Sequence, residues 1–189
     1  MHVPGLKVAL PATPLDAVGL LKTAIRDDDP VVFLEHKAIY NYKGLVPAEE
    51  FLLPFGKADI KRPGTDITIV TTSRMVLFSL EAAEKLSNEG ISVEVVDPRT
   101  IVPLDKKTIC ESVAKTGYAI VVTEDCITGS VASELSAVIN EEVFDELDSP
   151  VVRLAGRNVP IPYNRSLEHV CVPSVNDIYN TAKRVLAAD

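Results

Sequence analysis

The sequence predicts an α/β protein whose main part, residues 58–189, is a three-layer α/β/α domain with a mostly parallel sheet. Short apolar runs rich in β-branched residues alternate there with longer amphipathic segments, and this alternation implies parallel strands joined by crossover helices. The strands are apolar almost throughout, which indicates that helices cover both faces of the sheet. Residues 1–40 add one strand, one helix and one strand, too little sheet to stand alone. They are predicted to be the end of a second α/β unit.

The strands are predicted from runs of apolar residues, and the helices from amphipathic periodicity between them. The predicted strands are, in order, 8–10, 31–34, an edge strand near 57–61, 67–71, 93–96, 118–122 and 151–154. The predicted helices are 14–29, 75–88, 106–115, one across 131–139 and one across 175–185. Glycine and proline are frequent in 41–64, which predicts a linker there.

Capping residues place the starts of three of these helices. Thr13 and Asp16 form a predicted capping box, and so do Ser174 and Asp177. Asp105 is the predicted N-cap of the helix that follows it. The first helix is expected to end at the aspartates before Pro30, because the residue before a proline disfavours helical backbone.

The composition is that of a soluble globular protein and argues against several classes of function. Charged residues make up 24% of the 189 residues and the formal net charge is −8, so a nucleic-acid partner is not expected. No apolar run is long enough to span a membrane, no membrane association is expected, and no targeting segment opens the chain. The three cysteines are widely spaced, which indicates a reducing compartment.

Two acids stand at the predicted carboxyl end of a central strand, where open α/β sheets bind ligands. Glu124 is the candidate site-facing acid and Asp125 lies beside it; the alternative is a loop acid pair near a helix start. Residues 128–130 either cap the next helix or bind an anion through its free N–H groups. No nucleotide-binding, hydrolase or metalloprotease motif accompanies them.

Two further segments each allow two interpretations. Five acids fall within 141–148, either as a solvated helix end or as a docking face for a basic partner. The candidate docking residues are Glu141, Glu142, Asp145 and Asp148. The helix end at 24–29 leaves carbonyls without intrahelical partners, which either bond to water or hold a hard monovalent cation.

Four ordered stretches resemble the beta subunit of thiamine-diphosphate-dependent 2-oxo-acid dehydrogenases, the decarboxylating first components of the pyruvate, branched-chain 2-oxo-acid and acetoin dehydrogenase complexes. The stretches are H-V-P-G-L-K-V (2–8), G-L-L-K-T-A-I-R-D-D-D-P-V-V-F-L-E-H-K (19–37), V-E-V-V-D-P-R-T-I-V-P-L-D (93–105) and V-P-I-P-Y (159–163). The likeness extends over the whole chain. It implies that residues 1–57 are the C-terminal remnant of a pyrimidine-binding domain plus a linker, and that 58–189 are a domain of the transketolase C-terminal type.

The resemblance implies a part in decarboxylating a 2-oxo acid, pyruvate in the first place, with thiamine diphosphate and magnesium in the complete heterotetramer. The acyl group then passes to a lipoyl group. The family's cofactor-activating glutamate and its acyl-transfer histidine lie upstream of this chain. No catalytic residue, no tightly bound cofactor and no turnover are therefore expected of the chain alone. The alternative is a non-catalytic module for assembly with the alpha subunit and for docking the acyltransferase core.

The resemblance also implies partners and an ion. The partners are the alpha subunit, a second beta subunit and the peripheral-subunit-binding domain of the dihydrolipoyl acyltransferase, which is expected at the acidic segment 141–148. A potassium ion held by backbone carbonyls in many members maps onto Ala24, Ile25, Asp27 and Asp29. The expected location is the cytoplasm in a prokaryote, and the mitochondrial matrix or a plastid in a eukaryote.

Two segments depart from the family pattern. Thr123-Glu124-Asp125 stands where relatives often have His-Glu-Ala or Glu-Glu-Gly, which leaves Glu124 as the matching acid. Residues 129–134 stand where relatives often have Gly-Gly-Phe-Gly-Ala-Glu. They keep a helix start and Glu134 but lose a flexible glycine.

Overall fold

The computed structural model describes residues 1–187, which form two sheets. The strands are β1 (Lys7–Ala9), β2 (Val31–Phe33), β3 (Asp59–Arg62), β4 (Ile67–Thr71), β5 (Val93–Asp97), β6 (Thr100–Val102), β7 (Ala119–Cys126) and β8 (Val152–Gly156). The helices are α1 (Pro14–Ile25), α2 (Arg74–Ser87), α3 (Lys106–Thr116), α4 (Val131–Val143), α5 (Arg165–Cys171) and α6 (Val175–Leu186). Two 3-10 turns lie at Lys37–Ile39 and Phe144–Glu146.

The larger sheet has the strand order β3-β5-β4-β7-β8 and is parallel except for β3, which runs antiparallel along β5. Its strands alternate between two apolar layers: Ile69 and Ile120 face the core formed with α2 and α6, whereas Val70 and Val121 face the core formed with α3 and α4. Both faces are therefore covered by helices, and the predicted three-layer α/β/α architecture with a mostly parallel sheet is confirmed.

The smaller sheet has the order β2-β1-β6 and contains strands from both parts of the chain. Strand β1 pairs in parallel with β2 and antiparallel with β6, which follows β5 directly in sequence. The sequence did not predict β6, because its three residues stand between Pro98 and Pro103 and show no strand-length pattern. Its pairing with β1 joins the N-terminal segment to the main domain by backbone hydrogen bonds.

The predicted caps are confirmed, but α1 is shorter than expected. Thr13 with Asp16 and Ser174 with Asp177 form capping boxes, and Asp105 accepts the N–H of Thr108. Helix α1 ends at Ile25, four residues before the predicted end. The reason is a local turn: the side chain of Asp27 accepts the N–H of Asp29 at 2.9 Å and so competes with the helical hydrogen bond.

The linker between the two parts contains no helix or strand in 41–58 and packs on α1 where that helix has a glycine. A Cβ at Gly19 would lie 2.5 Å from Leu53 and 2.8 Å from Phe51. The N–H of Leu53 donates to the Gly19 carbonyl at 3.3 Å, and the Leu53 carbonyl accepts the hydroxyl of Thr23 at 2.7 Å. Only a residue without a side chain permits this approach at position 19.

Two more elements differ from the sequence prediction. The short helix α5 was not predicted, and β7 continues four residues beyond the predicted end at 122. None of the helices formed by residues 1–187 has both the length and the apolar character needed to cross a membrane.

Candidate functional site

The carboxyl ends of both sheets meet at one cleft of about 280 Å³. The chain passes from β4 to β5 on one side of the sheet and then to β7 on the other side of β4. The carboxyl ends of β4 and β7 are therefore the topological switch point, where open α/β sheets bind ligands. Lining residues come from both parts of the chain: Leu10, Leu34, Glu35, His36, Thr72, Ser73, Thr123, Glu124, Asp125 and Val131.

Glu124, the predicted site-facing acid, lies in this cleft between two basic side chains. Its Oε2 is 2.9 Å from Nε2 of His36 and its Oε1 is 3.1 Å from a guanidinium nitrogen of Arg74. Nδ1 of His36 accepts the N–H of Ala38, so the proton of the neutral ring belongs on Nε2, which donates to Glu124. Both carboxylate oxygens are thus engaged, and Glu124 connects the N-terminal segment to the main domain rather than standing free as a base.

The turn from β4 into α2 places Ser73 at the mouth of the cleft in a strained conformation. Ser73 has φ 53° and ψ −131°, a region that side chains other than glycine rarely occupy. It is the N-cap of α2, yet its hydroxyl does not cap the first turn. Strain of this kind costs about 1–3 kcal/mol and is concentrated at binding and catalytic sites. Nothing in the sequence indicates this conformation, because no glycine marks the turn.

The start of α4 is capped by side chains, so of the two interpretations of residues 128–130 the helix cap is confirmed. The hydroxyl of Ser130 accepts the N–H of Ser133 at 3.3 Å, and Oδ2 of Asp125 accepts the N–H of Val131 at 3.0 Å. Asp125 therefore stabilises the amino end of this helix.

A second cavity of about 300 Å³ adjoins the first and shares Glu35 and His36 with it. It lies between the start of α1 and the 3-10 turn at Lys37–Ile39, and Tyr40 and Tyr42 line its outer wall. Its walls are mostly apolar, and residues of the main domain take no part in them.

A cluster of five charged residues joins α1 to the main domain. Lys61 Nζ lies 2.6 Å from Asp16 Oδ2, 2.8 Å from Asp59 Oδ2 and 3.6 Å from Asp97 Oδ2. Arg99 donates to Asp16 at 2.7 Å and to Asp59 at 2.8 Å. Asp16 and Asp97 are completely buried, whereas the side chain of Asp59 is 35% exposed, so the cluster reaches from the interior to the surface.

Burial and the neighbouring charges shift the pKa values of the two buried carboxylates of this cluster in opposite directions. Burial would raise the pKa of Asp16, but Lys61 and Arg99 outweigh it and hold that pKa below its usual value. Asp97 is more strongly desolvated, and burial raises its pKa to about 7 although Lys61 opposes the rise. No sequence motif predicts this cluster, because its members are far apart in the chain: Asp16 and Arg99 are separated by 83 residues.

The predicted potassium ligands lie at the end of α1 and in the turn after it. Ala24 and Ile25 close the helix, and the Ala24 carbonyl accepts the N–H of Asp27 at 3.4 Å. The side chains of Asp27 and Asp29 both bind the ammonium of Lys7, at 2.7 and 2.9 Å. Across residues 1–187, no group of three or more His, Cys, Asp or Glu side chains could hold a metal ion.

The acidic segment 141–148 covers the end of α4 and the 3-10 turn after it. The four candidate docking residues, Glu141, Glu142, Asp145 and Asp148, are all solvent-exposed. Glu142 alone among them has an ion pair, at 3.2 Å from Lys106, within the part of the chain that the structure describes. Phe144 is 68% exposed in the middle of the segment, so an apolar ring stands among the acids.

Two family models match this chain. The transketolase C-terminal domain matches residues 56–178, and the transketolase pyrimidine-binding domain matches residues 1–43. The first of these covers well over half of the chain.

Curated relatives match nearly the whole chain. The 2-oxoisovalerate dehydrogenase subunit beta of Bacillus subtilis (strain 168) is 53% identical over 167 residues, which are 87% of this chain and 51% of the relative. The mitochondrial pyruvate dehydrogenase E1 component subunit beta-2 of Oryza sativa subsp. japonica is 49% identical over 97% of this chain and 50% of its own length. The pyruvate dehydrogenase E1 component subunit beta of Bacillus subtilis (strain 168) is 48% identical over 97% of this chain and 56% of its own length. The chain spans about half the length of the curated relatives it matches.

Among solved structures, a split gene transketolase described as an inactive beta4 tetramer matches with a TM-score of 0.80. The match covers 98% of this chain and 59% of that chain at 24% sequence identity. At this identity it shows the fold alone, and the expected transketolase-like α/β fold is confirmed.

Proposed function

The chain belongs to the transketolase C-terminal domain family, and we propose that it forms the C-terminal part of the beta subunit of a 2-oxo-acid dehydrogenase first component. The observation that carries the proposal is the 53% identity to a 2-oxoisovalerate dehydrogenase subunit beta. Two pyruvate dehydrogenase beta subunits are 48% and 49% identical to the chain in sequence. The substrate of the complete enzyme is then pyruvate or a branched-chain 2-oxo acid, with pyruvate as our first choice.

In such an enzyme, bound thiamine diphosphate supplies the electron sink for decarboxylation. The role proposed for this chain is structural: its side chains hold its two parts in fixed positions relative to each other. The cluster around Lys61 and the pair between His36 and Glu124 hold the end of the pyrimidine-binding domain against the C-terminal domain.

The potassium ion is proposed at the carbonyls of Ala24, Ile25, Asp27 and Asp29. The end of α1 brings these residues into one turn, and Lys7 already neutralises both Asp side chains. Only carbonyl dipoles then remain for the ion, and these suit a monovalent cation better than a divalent one.

The partners proposed from the relatives are an alpha subunit and a second beta subunit. The relatives include bacterial proteins and proteins named as mitochondrial. The proposed location is accordingly the cytoplasm in a bacterium, and the mitochondrial matrix or a plastid in a eukaryote.

The proposal predicts that the purified chain binds its alpha subunit but does not decarboxylate 2-oxo acids by itself. Covalent cofactor chemistry needs correct activation and placement of the cofactor, and the expected activating residue lies upstream of this chain. The measurements are co-purification with the alpha subunit, and release of carbon dioxide from pyruvate and from 3-methyl-2-oxobutanoate with added thiamine diphosphate and magnesium. Turnover by the chain alone would contradict the division of roles, and failure to bind any alpha subunit would contradict the subunit assignment.

A second role, docking of the acyltransferase core, is favoured by the acidic segment 141–148. Its exposed carboxylates and the exposed ring of Phe144 form a surface suited to a basic partner domain. The partner that we propose is the peripheral-subunit-binding domain of the acyltransferase. Complementary charges of this kind mainly accelerate association and set specificity.

Replacing Asp145 and Asp148 together by Asn is expected to slow association with that domain about 3- to 10-fold at low salt and to flatten its salt dependence. Association slows because two of the negative charges that attract the basic domain are removed. The salt dependence becomes flatter because the lost attraction is the part that salt screens, with a Debye length of about 8 Å at physiological ionic strength. Surface plasmon resonance at two salt concentrations measures the effect. The matched control is Glu81→Gln with Glu111→Gln, which removes two exposed acids elsewhere. Equal on-rates for the two variants would remove this segment from the docking surface.

A further inference from the structure

The N-terminal segment, residues 1–43, is attached to the main domain by a short strand pairing and by side-chain contacts. Strand β1 is in register with β6 over two residue pairs. On α1, the buried side chain of Asp16 binds Lys61 and Arg99, and both of these cations belong to the main domain. The ionic contact of Asp16 therefore exists only while the segment is attached.

The main domain by itself supplies a balanced set of charges to this cluster. Asp59 and Asp97 each carry one negative charge when ionised, and they are direct cross-strand partners, which is unfavourable for two like charges. Lys61 and Arg99 each carry one positive charge. Attachment of the N-terminal segment adds Asp16 as a third carboxylate, whereas the salt bridges described for the cluster include no cation from that segment. One negative charge is then in excess.

Asp97 is the carboxylate of the cluster that is best placed to carry a proton. Its Oδ1 accepts the N–H of Arg99 at 2.9 Å, but its Oδ2 is buried without a hydrogen-bond partner in residues 1–187, and Lys61 Nζ is 3.6 Å away. Asp16, in contrast, accepts hydrogen bonds on both oxygens, from Lys61 and from Arg99. The side chain of Asp59 is 35% exposed and stays hydrated. Burial raises the pKa of Asp97 to about 7, and the charge of Asp16 adds to the rise although Lys61 opposes it.

We propose that attachment of the N-terminal segment to the main domain is coupled to the uptake of one proton by Asp97, which makes the contact between the two parts sensitive to pH. The proton comes from water. With Asp97 neutral, the charges of Asp16 and Asp59 balance those of Lys61 and Arg99. The inference does not depend on the proposed decarboxylation.

The direction of the pH effect follows from proton linkage. The attached state keeps a proton that the detached state releases, because detachment removes Asp16 and admits water to Asp97. The contact is therefore tightest at acidic pH, weakens as pH rises toward about 7, and stays weak above that value. The charged groups that face Asp97 are Lys61 and Asp59 from β3, Arg99 from the loop before β6, and Asp16 from α1.

Amide hydrogen exchange of the 189-residue chain at pH 5.5 and pH 8, corrected for the intrinsic pH dependence of exchange, tests the proposal. Peptides from β1 report on detachment of the segment, and peptides from β4 in the larger sheet report on global unfolding. We expect β1 to exchange through a local opening, with less protection than β4 at both pH values. The protection of β1 should fall at least about tenfold between pH 5.5 and pH 8. Equal protection of β1 and β4, or protection of β1 that does not change with pH, overturns the proposal.

Two variants and a control assign the effect to the cluster. Asp97→Asn should reduce the fall in β1 protection to less than about threefold, because asparagine takes up no proton. Asp16→Asn should also make the fall smaller than in the parent chain, since the segment then brings no third carboxylate. The matched control is Asp177→Asn, which replaces the aspartate of the other capping box and should keep the full fall. A fall of about threefold or more in Asp97→Asn would assign the pH dependence to the contact between His36 and Glu124, which also joins the two parts, and overturns the proposal. Loss of the fall in the control overturns it as well.

Discussion

Lys61→Met is expected to lower the free energy of unfolding by about 3–5 kcal/mol at pH 7, the usual cost of removing one partner from a buried ion pair. The Lys61 ammonium is in contact with Asp16 and Asp59 and faces Asp97, and only 9% of its side chain is exposed. Without it, Asp16 keeps only Arg99 as a cationic partner and Asp97 loses its nearest cation. Urea denaturation followed by circular dichroism measures the change.

The control for this variant is Lys107→Met, whose side chain is 83% exposed and, within residues 1–187, pairs only with Glu111 on the same helix. That substitution should change the free energy of unfolding by less than about 0.5 kcal/mol. A loss below about 1 kcal/mol for Lys61→Met would contradict the view that the cluster stabilises the contact between the two parts of the chain.

Asp97→Asn is expected to make folding stability less dependent on pH between about 4 and 7. Burial raises the pKa of this carboxyl from 3.8 to about 7, so the folded chain keeps a proton that the unfolded chain releases in this range. Stability is therefore highest near pH 4 and falls as pH rises to 7, by about 4 kcal/mol for a shift of this size. Asparagine cannot ionise, so above pH 7 the variant should be more stable than the parent chain.

The charged neighbours of Asp97 determine the pH range in which its titration can be measured separately. Lys61 from β3, Arg99 from the loop before β6, and Asp16 from α1 are the charged groups that act on it. The pKa of Asp16 is lowered, so its contribution is lost only as pH falls below the usual range of an aspartate. Urea melts at pH 5 and pH 8 distinguish the two groups. A parent chain equally stable at both values would show that Asp97 stays ionised when folded.

The two variants together give a further check on the cluster. Once Asp97 is neutral, removal of Lys61 leaves one buried charge fewer without a partner, so the double variant should lose less stability than Lys61→Met alone. Residues in one ion-pair network commonly show coupling of about 0.5–3 kcal/mol in such cycles. Strict additivity would mean that Lys61 and Asp97, 3.6 Å apart, act independently.

The cluster also connects the fold to the proposed role in a subunit assembly. Asp16 belongs to the capping box of α1, and Arg99 follows β5 of the main domain. The same loop places the Arg99 carbonyl where it accepts the N–H of Leu10 at 2.8 Å. Ionic and backbone contacts thus fix the end of the pyrimidine-binding domain on the C-terminal domain at one place.

The candidate site was predicted only in part. Glu124 and Asp125 were found because they end a recognisable apolar strand, and carboxyl strand ends are where α/β proteins bind ligands. Thr72 and Ser73 were missed, because no glycine marks the turn between β4 and α2 and the positive φ of Ser73 is visible only in the structure. His36 and Arg74 could not be assigned to Glu124, because nothing in the local pattern relates three residues from three different elements.

The sequence by itself determined the order of the strands and helices apart from β6 and α5, the caps at Thr13, Asp105 and Ser174, and the resemblance to 2-oxo-acid dehydrogenase beta subunits. These depend on side-chain periodicity and on residues within one turn of each other, which are interactions the chain makes locally. Only the tertiary structure decided that β6 pairs with β1, that five charged residues meet in the cluster around Lys61, and that His36 and Arg74 both bind Glu124. Each of these contacts joins segments far apart in sequence, so its free energy depends on desolvation and geometry that exist only after the sheets have assembled.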